Sequence, residues 1–226
     1  MKQIRISDVT MKQTGSEISL SFKEKIELSK LLDKLGVSVI ELEPLVQPKL
    51  DALRIKSVAA AVKNSIVAVP VALDPENVRL TWNALKEAKK ARLQVCAPVS
   101  SVQMEYLFHK KPEAMLTAIT DAVAACCRLC DDVEFVADDA TRSDPAYLYH
   151  VLSAAIDSGA KTVTVCDTAS VMMPDEFAAF IKEIKAETNI SVGVYCEDKN
   201  GLSIAKSIMA VKQGADMVTT CVKGNA

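Results

Sequence analysis

Polar side chains in this sequence gather where short apolar runs stop. Ile4–Asp8 gives way to Lys12 and Gln13, and Val37–Leu42 carries Glu41 with Glu43 just beyond. Arg92–Pro98 is followed by Ser100 and Ser101, and Val133–Ala137 by Asp138, Asp139, Thr141 and Arg142. Asp167 and Thr168 follow Thr162–Cys166, Glu197 and Asp198 follow Ser191–Cys196 with its Tyr195, and Lys223 and Asn225 follow Met217–Val222. Carboxylates move protons, and ammoniums hold carboxylates or, at depressed pKa, attack carbonyls. Read singly, each is a solvated loop residue; their recurrence predicts one functional rim.

The apolar runs themselves, with Ser65–Ala72 added, read as strands. Each is apolar for most of its length, as strands covered on both faces are. Helical stretches separate them. Phe22–Leu35 stops at Gly36, Asp74-Pro75 opens Pro75–Lys90, and Asp144-Pro145 opens Pro145–Ser158. Pro48–Lys63, the long region Gln103–Cys130, a helix opened by Pro174, and Leu202–Gln213 complete the set. Alternating βα units of even spacing predict a single (β/α)8 TIM barrel over 1–226. No helix is expected after the eighth strand, so the barrel lacks its final outer helix. An apolar stripe is then expected outside strand eight, to be covered by a second copy or a partner subunit.

In such barrels the C-terminal strand ends carry the chemistry, which is where the polar residues lie. With 27 Lys+Arg against 29 Asp+Glu the charge is near neutral, which argues against a nucleic-acid binder. No apolar run approaches the roughly 20 residues that cross a bilayer, and no signal-peptide pattern opens the chain, so a cytoplasmic protein is expected. The 7 cysteines, including Cys126, Cys127 and Cys130, lack zinc-like spacing and read as reduced core residues. His109 and His150 fall inside predicted helices and read as packing or surface residues.

Several segments make the chain resemble the DRE-TIM metallolyases, which include the 2-isopropylmalate, homocitrate and citramalate synthases and 3-hydroxy-3-methylglutaryl-CoA lyase. Val133-Glu-Phe-Val-Ala-Asp-Asp-Ala-Thr-Arg-Ser-Asp144 is similar to the synthases' fifth-strand motif F-S-x-E-D-A-T-R-S-D. Cys166-Asp167-Thr168 with Pro174-Asp-Glu-Phe resembles P-D-T-x-G … P-x-E-F, and Met104-Glu105-Tyr106 with Lys111-Pro112-Glu113 resembles H-M-E-Y … S/T-P-E. Gly201-Leu-Ser-Ile-Ala205 and Ala210-Val-Lys-Gln-Gly-Ala215 resemble the seventh helix.

The resemblance implies acyl-CoA-dependent chemistry on a 2-oxo acid: an acetyl-CoA enolate attacks the oxo group, and the thioester is then hydrolysed. It carries catalytic roles to Lys12, Glu41 and Thr141, substrate binding to Ser100, Asp139 and Lys223, and metal binding to Asp8 and Glu197. The departures sit in the same motifs. The family's D-T-T-L-R-D-G-E-Q becomes Asp8-Val-Thr-Met-Lys12-Gln13-Thr-Gly-Ser16, its H-x-H metal pair falls on Tyr195 and Glu197, and its Asn ligand falls on Lys223. An ammonium has no lone pair for a metal. Two arrangements remain: Asp8 and Glu197 pair internally with Lys12 and Lys223, or they hold Mg²⁺ or Mn²⁺ with waters. Nearby carboxylates raise a lysine's pKa and oppose a Schiff base. The expected function is an acyltransferase of 2-isopropylmalate synthase type with altered chemistry and acetyl-CoA as co-substrate. The alternative is a non-catalytic or split-enzyme subunit that kept the barrel.

Overall fold

The computed structural model describes residues 3–12 and 20–222. Eight parallel strands close into one barrel in sequence order, β1 (Arg5–Asp8), β2 (Val39–Glu41), β3 (Ile66–Val71), β4 (Ala91–Pro98), β5 (Val133–Asp138), β6 (Thr162–Asp167), β7 (Ser191–Cys196) and β8 (Met217–Thr220). Closure is made by β8 lying parallel to β1, with Arg5 opposite Met217 and Asp8 opposite Thr220. The helices α1 (Phe22–Leu35), α2 (Pro48–Ala61), α3 (Pro75–Leu85), α4 (Ser101–Tyr106), α5 (Pro112–Cys127), α6 (Pro145–Asp157), α7 (Pro174–Glu187) and α8 (Ser203–Lys212) lie between the strands. The (β/α)8 barrel expected from the alternation is therefore the fold.

Local chemistry sets the helix ends. Ser21 and Glu24 exchange hydrogen bonds at the start of α1, and Gly36 ends it with φ of 87°. Asp74 accepts the Asn77 N–H at 2.8 Å and Asp144 the Tyr147 N–H at 2.9 Å, each just before a proline. One expectation is corrected here. Gln103–Cys130 is two helices, because Pro112 starts a new one and His109 sits at φ 51° between them. His109 is thus in a connection, while His150 lies within α6.

Among the described residues no helix follows β8. The uncovered apolar surface falls on the flanking helices rather than on the strand itself. Leu31 and Leu35 of α1 are 63% and 78% exposed and Ile204 of α8 is 75% exposed, whereas Val218 of β8 is only 9% exposed. Among the described residues no helix is long and apolar enough to cross a membrane.

Apolar side chains fill the layer between strands and helices, with Ile40, Val67, Leu93, Phe135, Val163 and Val192 in it. The barrel interior is different. Val39, Ala68 and Met217 form a small apolar plug, and polar side chains occupy the space around and above it. Gly193 supplies room at that level: a Cβ there would stand 2.3 Å from Thr164 Oγ1 and 3.0 Å from the Met217 methyl.

Candidate active site at the barrel mouth

A line of hydrogen bonds climbs through the barrel to its C-terminal mouth. It starts with Arg92, whose guanidinium grips Asp132 through Nε and Nη2, both at 3.0 Å, and reaches Glu134 Oε2 at 3.3 Å. Glu134 also accepts from Thr164 Oγ1 at 2.5 Å and from Gln94 Nε2 at 3.0 Å. That second bond fixes which way the Gln94 amide points, so its oxygen faces the mouth and accepts from Lys12 Nζ at 3.2 Å. Lys12 also donates to Glu41 Oε2, and Ser7 Oγ donates to Glu41 Oε1 at 2.6 Å. Strands β1, β2, β4, β5 and β6 thus all contribute to one network. Most groups in it are buried; the two ends reach solvent, Asp132 at the start, 30% exposed, and Lys12 at the mouth, a quarter exposed.

The turn after β1 aims Lys12. Residues Thr10–Lys12 form a single 3-10 turn, started by the Thr10 N–H donating to Asp8 Oδ1 at 3.0 Å. Thr10 Oγ1 in turn accepts the Val222 N–H at 2.8 Å, tying the turn to the end of β8.

Charges in the mouth tune one another. Burial alone would lower the Lys12 pKa, but Glu41 and its hydrogen bond outweigh that and push it up to about 12. Lys12 is therefore a fixed ammonium, not a nucleophilic amine. Glu41 is shifted the other way: burial opposes its charge, and Lys12 and Ser7 hold it below the usual carboxylate range. Asp138, at the end of β5, is pushed up to about 6 by burial, with Asp139 and Glu197 adding to the rise and Lys12 and Cys166 opposing it. A carboxyl poised near neutral pH is suited to taking and giving protons. Burial pushes Cys96, Cys166 and Tyr195 up, which keeps them protonated.

The residues expected to form the site separate into two groups. Lys12 and Glu41 meet in the mouth. Ser100, Asp139 and Thr141 stand behind it as bracing. Ser100 Oγ donates to Asp139 Oδ2 at 2.5 Å, both residues are fully buried, and Arg142 clamps the same carboxylate at 2.6 Å. Thr141 Oγ1 donates to Asp167 Oδ1 at 2.7 Å, and Asp167 is paired at 2.7 Å with Lys206 of α8, both side chains sealed from solvent. Asp167 binds the loops after β5 and β6 to α8 through these contacts. Its main-chain oxygen accepts the Glu197 N–H at 3.3 Å, drawing in the loop after β7.

The internal pairing expected for the acidic rim is corrected in its partners. Lys12 pairs with Glu41, Glu197 pairs with Lys199 at 2.7 Å, and Asp8 spends an oxygen on its own turn. Lys223 lies outside the described residues. Gln94, Glu134 and Arg92 were not singled out from sequence, and Asp138 was marked only as one of the rim residues, with no role of its own. The first three are polar residues inside otherwise apolar strand runs, a signal that they face the barrel interior. Asp138 belongs to the rim set but is overshadowed by the motif-matching Asp139 beside it.

A divalent ion of the kind the resemblance implies needs converging lone pairs. The residues present do not fit it. Tyr195 is a phenol held protonated, Glu197 is engaged by Lys199, and the Lys12 ammonium would repel a second cation. Among the described residues no three His, Cys, Asp or Glu side chains are grouped to hold a metal ion.

A model of the HMGL-like family matches residues 3–226. The 2-isopropylmalate synthase of Clostridium kluyveri is 33% identical over 229 residues, covering 99% of this chain and 45% of that protein. The Pyrococcus furiosus 2-isopropylmalate synthase is 34% identical, covering 99% of this chain and 46% of its own length. The chain thus spans less than half the length of these curated relatives. Among solved structures, an HMG-CoA lyase from Acenitobacter baumannii, in complex with coenzyme A and 3-methylmalate, aligns at a TM-score of 0.76 and 14% identity, covering 96% of this chain and 74% of that one. The carboxyl transferase domain of Rhizobium etli pyruvate carboxylase aligns at a TM-score of 0.75 and 15% identity, covering 100% of this chain and 41% of that one. At such identities these two likenesses establish the fold.

Proposed function

The chain belongs to the HMGL-like family, and from that premise we propose that it forms a carbon–carbon bond between an acetyl thioester and a small 2-oxo acid at the mouth of its barrel. The relatives named 2-isopropylmalate synthase support the reaction class, with acetyl-CoA as the co-substrate. The observation that carries the reading is the pairing, in one mouth, of a fixed Lys12 ammonium with an Asp138 carboxyl pushed up to about 6, chiefly by burial.

Each has a task. Lys12 draws the acid's carboxylate into a mouth otherwise rich in acidic groups. Asp138, ionised, takes a proton from the thioester methyl as that C–H bond breaks. The carbon then attacks the oxo carbon, a C–C bond forms, and the proton on Asp138 passes to the former oxo oxygen. Water hydrolyses the thioester and releases the CoA thiol. Ser100, Asp139 and Thr141 act from behind, holding the loops that frame the mouth. Replacement of the family's arginine by Lys12 removes a two-pronged donor, so turnover is slow by family standards.

The test is thiol release from acetyl-CoA with a panel of 2-oxo acids. Release with any of them, abolished in Asp138→Asn, supports the reading; none with every acid tried refutes it. A second reading, a partner subunit without catalysis, is favoured by the apolar faces of α1 and α8, where Leu35 and Ile204 are largely exposed. It predicts no thiol release and a stable complex with a second copy or another chain.

A further inference from the structure

We infer that Lys12 does, without any metal ion, the work for which this fold family uses a divalent cation: its ammonium is the electrophile that holds the oxo and carboxylate oxygens of the bound acid. The inference rests on the proposed small-acid chemistry and names how that site holds its substrate.

Three observations converge on it. The first is placement. Lys12 Nζ stands at the mouth, bonded to Glu41 of β2 and to Gln94 Oε1 at 3.2 Å, so its position is set by two strands. An ammonium has three N–H groups, and these bonds use two, leaving one for a ligand. One N–H aimed between an oxo and a carboxylate oxygen meets both lone pairs of a 2-oxo acid and follows the charge onto the oxo oxygen as a new bond forms there.

The second is rigidity. Gln94 cannot turn, since its amide nitrogen donates to Glu134 at 3.0 Å and Glu134 is held by Thr164 and by the Arg92 guanidinium. A preorganised cation costs no rearrangement during the reaction, which is what a bound metal otherwise supplies. The third is charge. A divalent ion drawn to Asp8 would stand near Glu41, which already holds Lys12, and Asp8 and Glu197 are themselves engaged, by the Thr10 N–H and by Lys199. Lys12 and a metal are alternatives for this space.

The test uses oxalate, a small dianion that mimics the two adjacent oxygens of a 2-oxo acid. Binding to the purified chain is measured calorimetrically in EDTA and again with Zn²⁺, Mg²⁺ or Mn²⁺, alongside the metal content of the protein as isolated. The inference expects equal affinity in EDTA and with each metal, once the oxalate complexed by free metal in solution is subtracted. It also expects a loss of about 10- to 100-fold in Lys12→Met, the worth of a hydrogen bond to a charged group. Lys12→Met leaves Glu41 buried without a cation, so the double substitution Lys12→Met/Glu41→Gln, which removes both charges, provides a folded control that also fails to bind. Lys12→Arg restores binding. Oxalate binding that needs a metal, a stoichiometric metal that survives EDTA, or full affinity in the double variant overturns the inference while leaving the small-acid reading in place. Absence of oxalate binding under every condition overturns both.

Discussion

Lys206→Met removes one partner of an ion pair that solvent does not reach. The Lys206 and Asp167 side chains are both 0% exposed and 2.7 Å apart. Without the lysine, Asp167 keeps the Thr141 hydroxyl at 2.7 Å and the Val171 N–H at 3.2 Å, but it loses its cationic partner. Breaking a sealed pair by removing one member costs about 3–5 kcal/mol, because the remaining charge is left buried. Domains hold about 5–15 kcal/mol in total, so the chain stays folded but with little margin. For a chain of this size each kcal/mol moves the melting temperature by about 2–4 °C, so a fall of roughly 6–20 °C is expected. Urea unfolding followed by circular dichroism gives the free energy directly. Adding Asp167→Asn to Lys206→Met should recover most of the loss, since the neutral amide needs no cation and still accepts from Thr141. A loss below about 1 kcal/mol, the range of solvent-exposed pairs, with no recovery in the double variant, would refute the claim that this pair is sealed and braces the mouth.

Other consequences are as definite. Asp138 is pushed up from 3.8 to about 6 chiefly by burial, so the native state binds the extra proton between those values and stability falls as pH rises through them; Asp138→Asn should gain of order 2–3 kcal/mol at pH 7, shrinking below pH 4, in urea midpoints. Lys12 is shifted from 10.5 to about 12, with burial lowering and Glu41 more than restoring it, so its stabilisation is complete below pH 10.5 and lost toward pH 12; Glu41→Gln should flatten that alkaline loss relative to wild type. Gly193→Ala places a methyl 2.3 Å from Thr164 Oγ1 and should cost about 1–3 kcal/mol in thermal melts, partly relieved by adding Thr164→Ala.

Much of this molecule was legible from residue order. The strand and helix runs alternate so evenly that a closed barrel follows, and Asp-Pro pairs at 74–75 and 144–145 place two helix starts where they occur. Gln103–Cys130 misled because helix-forming residues flank Pro112 on both sides; the proline begins a new helix, and the left-handed backbone at His109 turns the chain between the two. The site was half legible. Strand-end position alone marks Lys12, Glu41 and Asp138 as rim residues. It cannot say that Ser100 and Asp139 face each other inside the wall, since that depends on the backbone taking a left-handed turn at Asp139, φ 59°. Strands covered on both faces are apolar for most of their length, so Arg92, Gln94 and Glu134 stand out as polar interruptions that point inward, but which partners they meet shows only once the barrel is closed.

In the proposed function Asp138 moves a proton at the carbon next to a thioester, beside a lysine cation rather than a metal. The direct measurement is deuterium wash-in at the methyl group of acetyl-CoA in D2O with EDTA and a 2-oxo acid present, followed by mass spectrometry. Deuterium is expected to enter the methyl group with the wild-type chain and not with Asp138→Asn. Incorporation no faster than in buffer alone, or undiminished in Asp138→Asn, would contradict it.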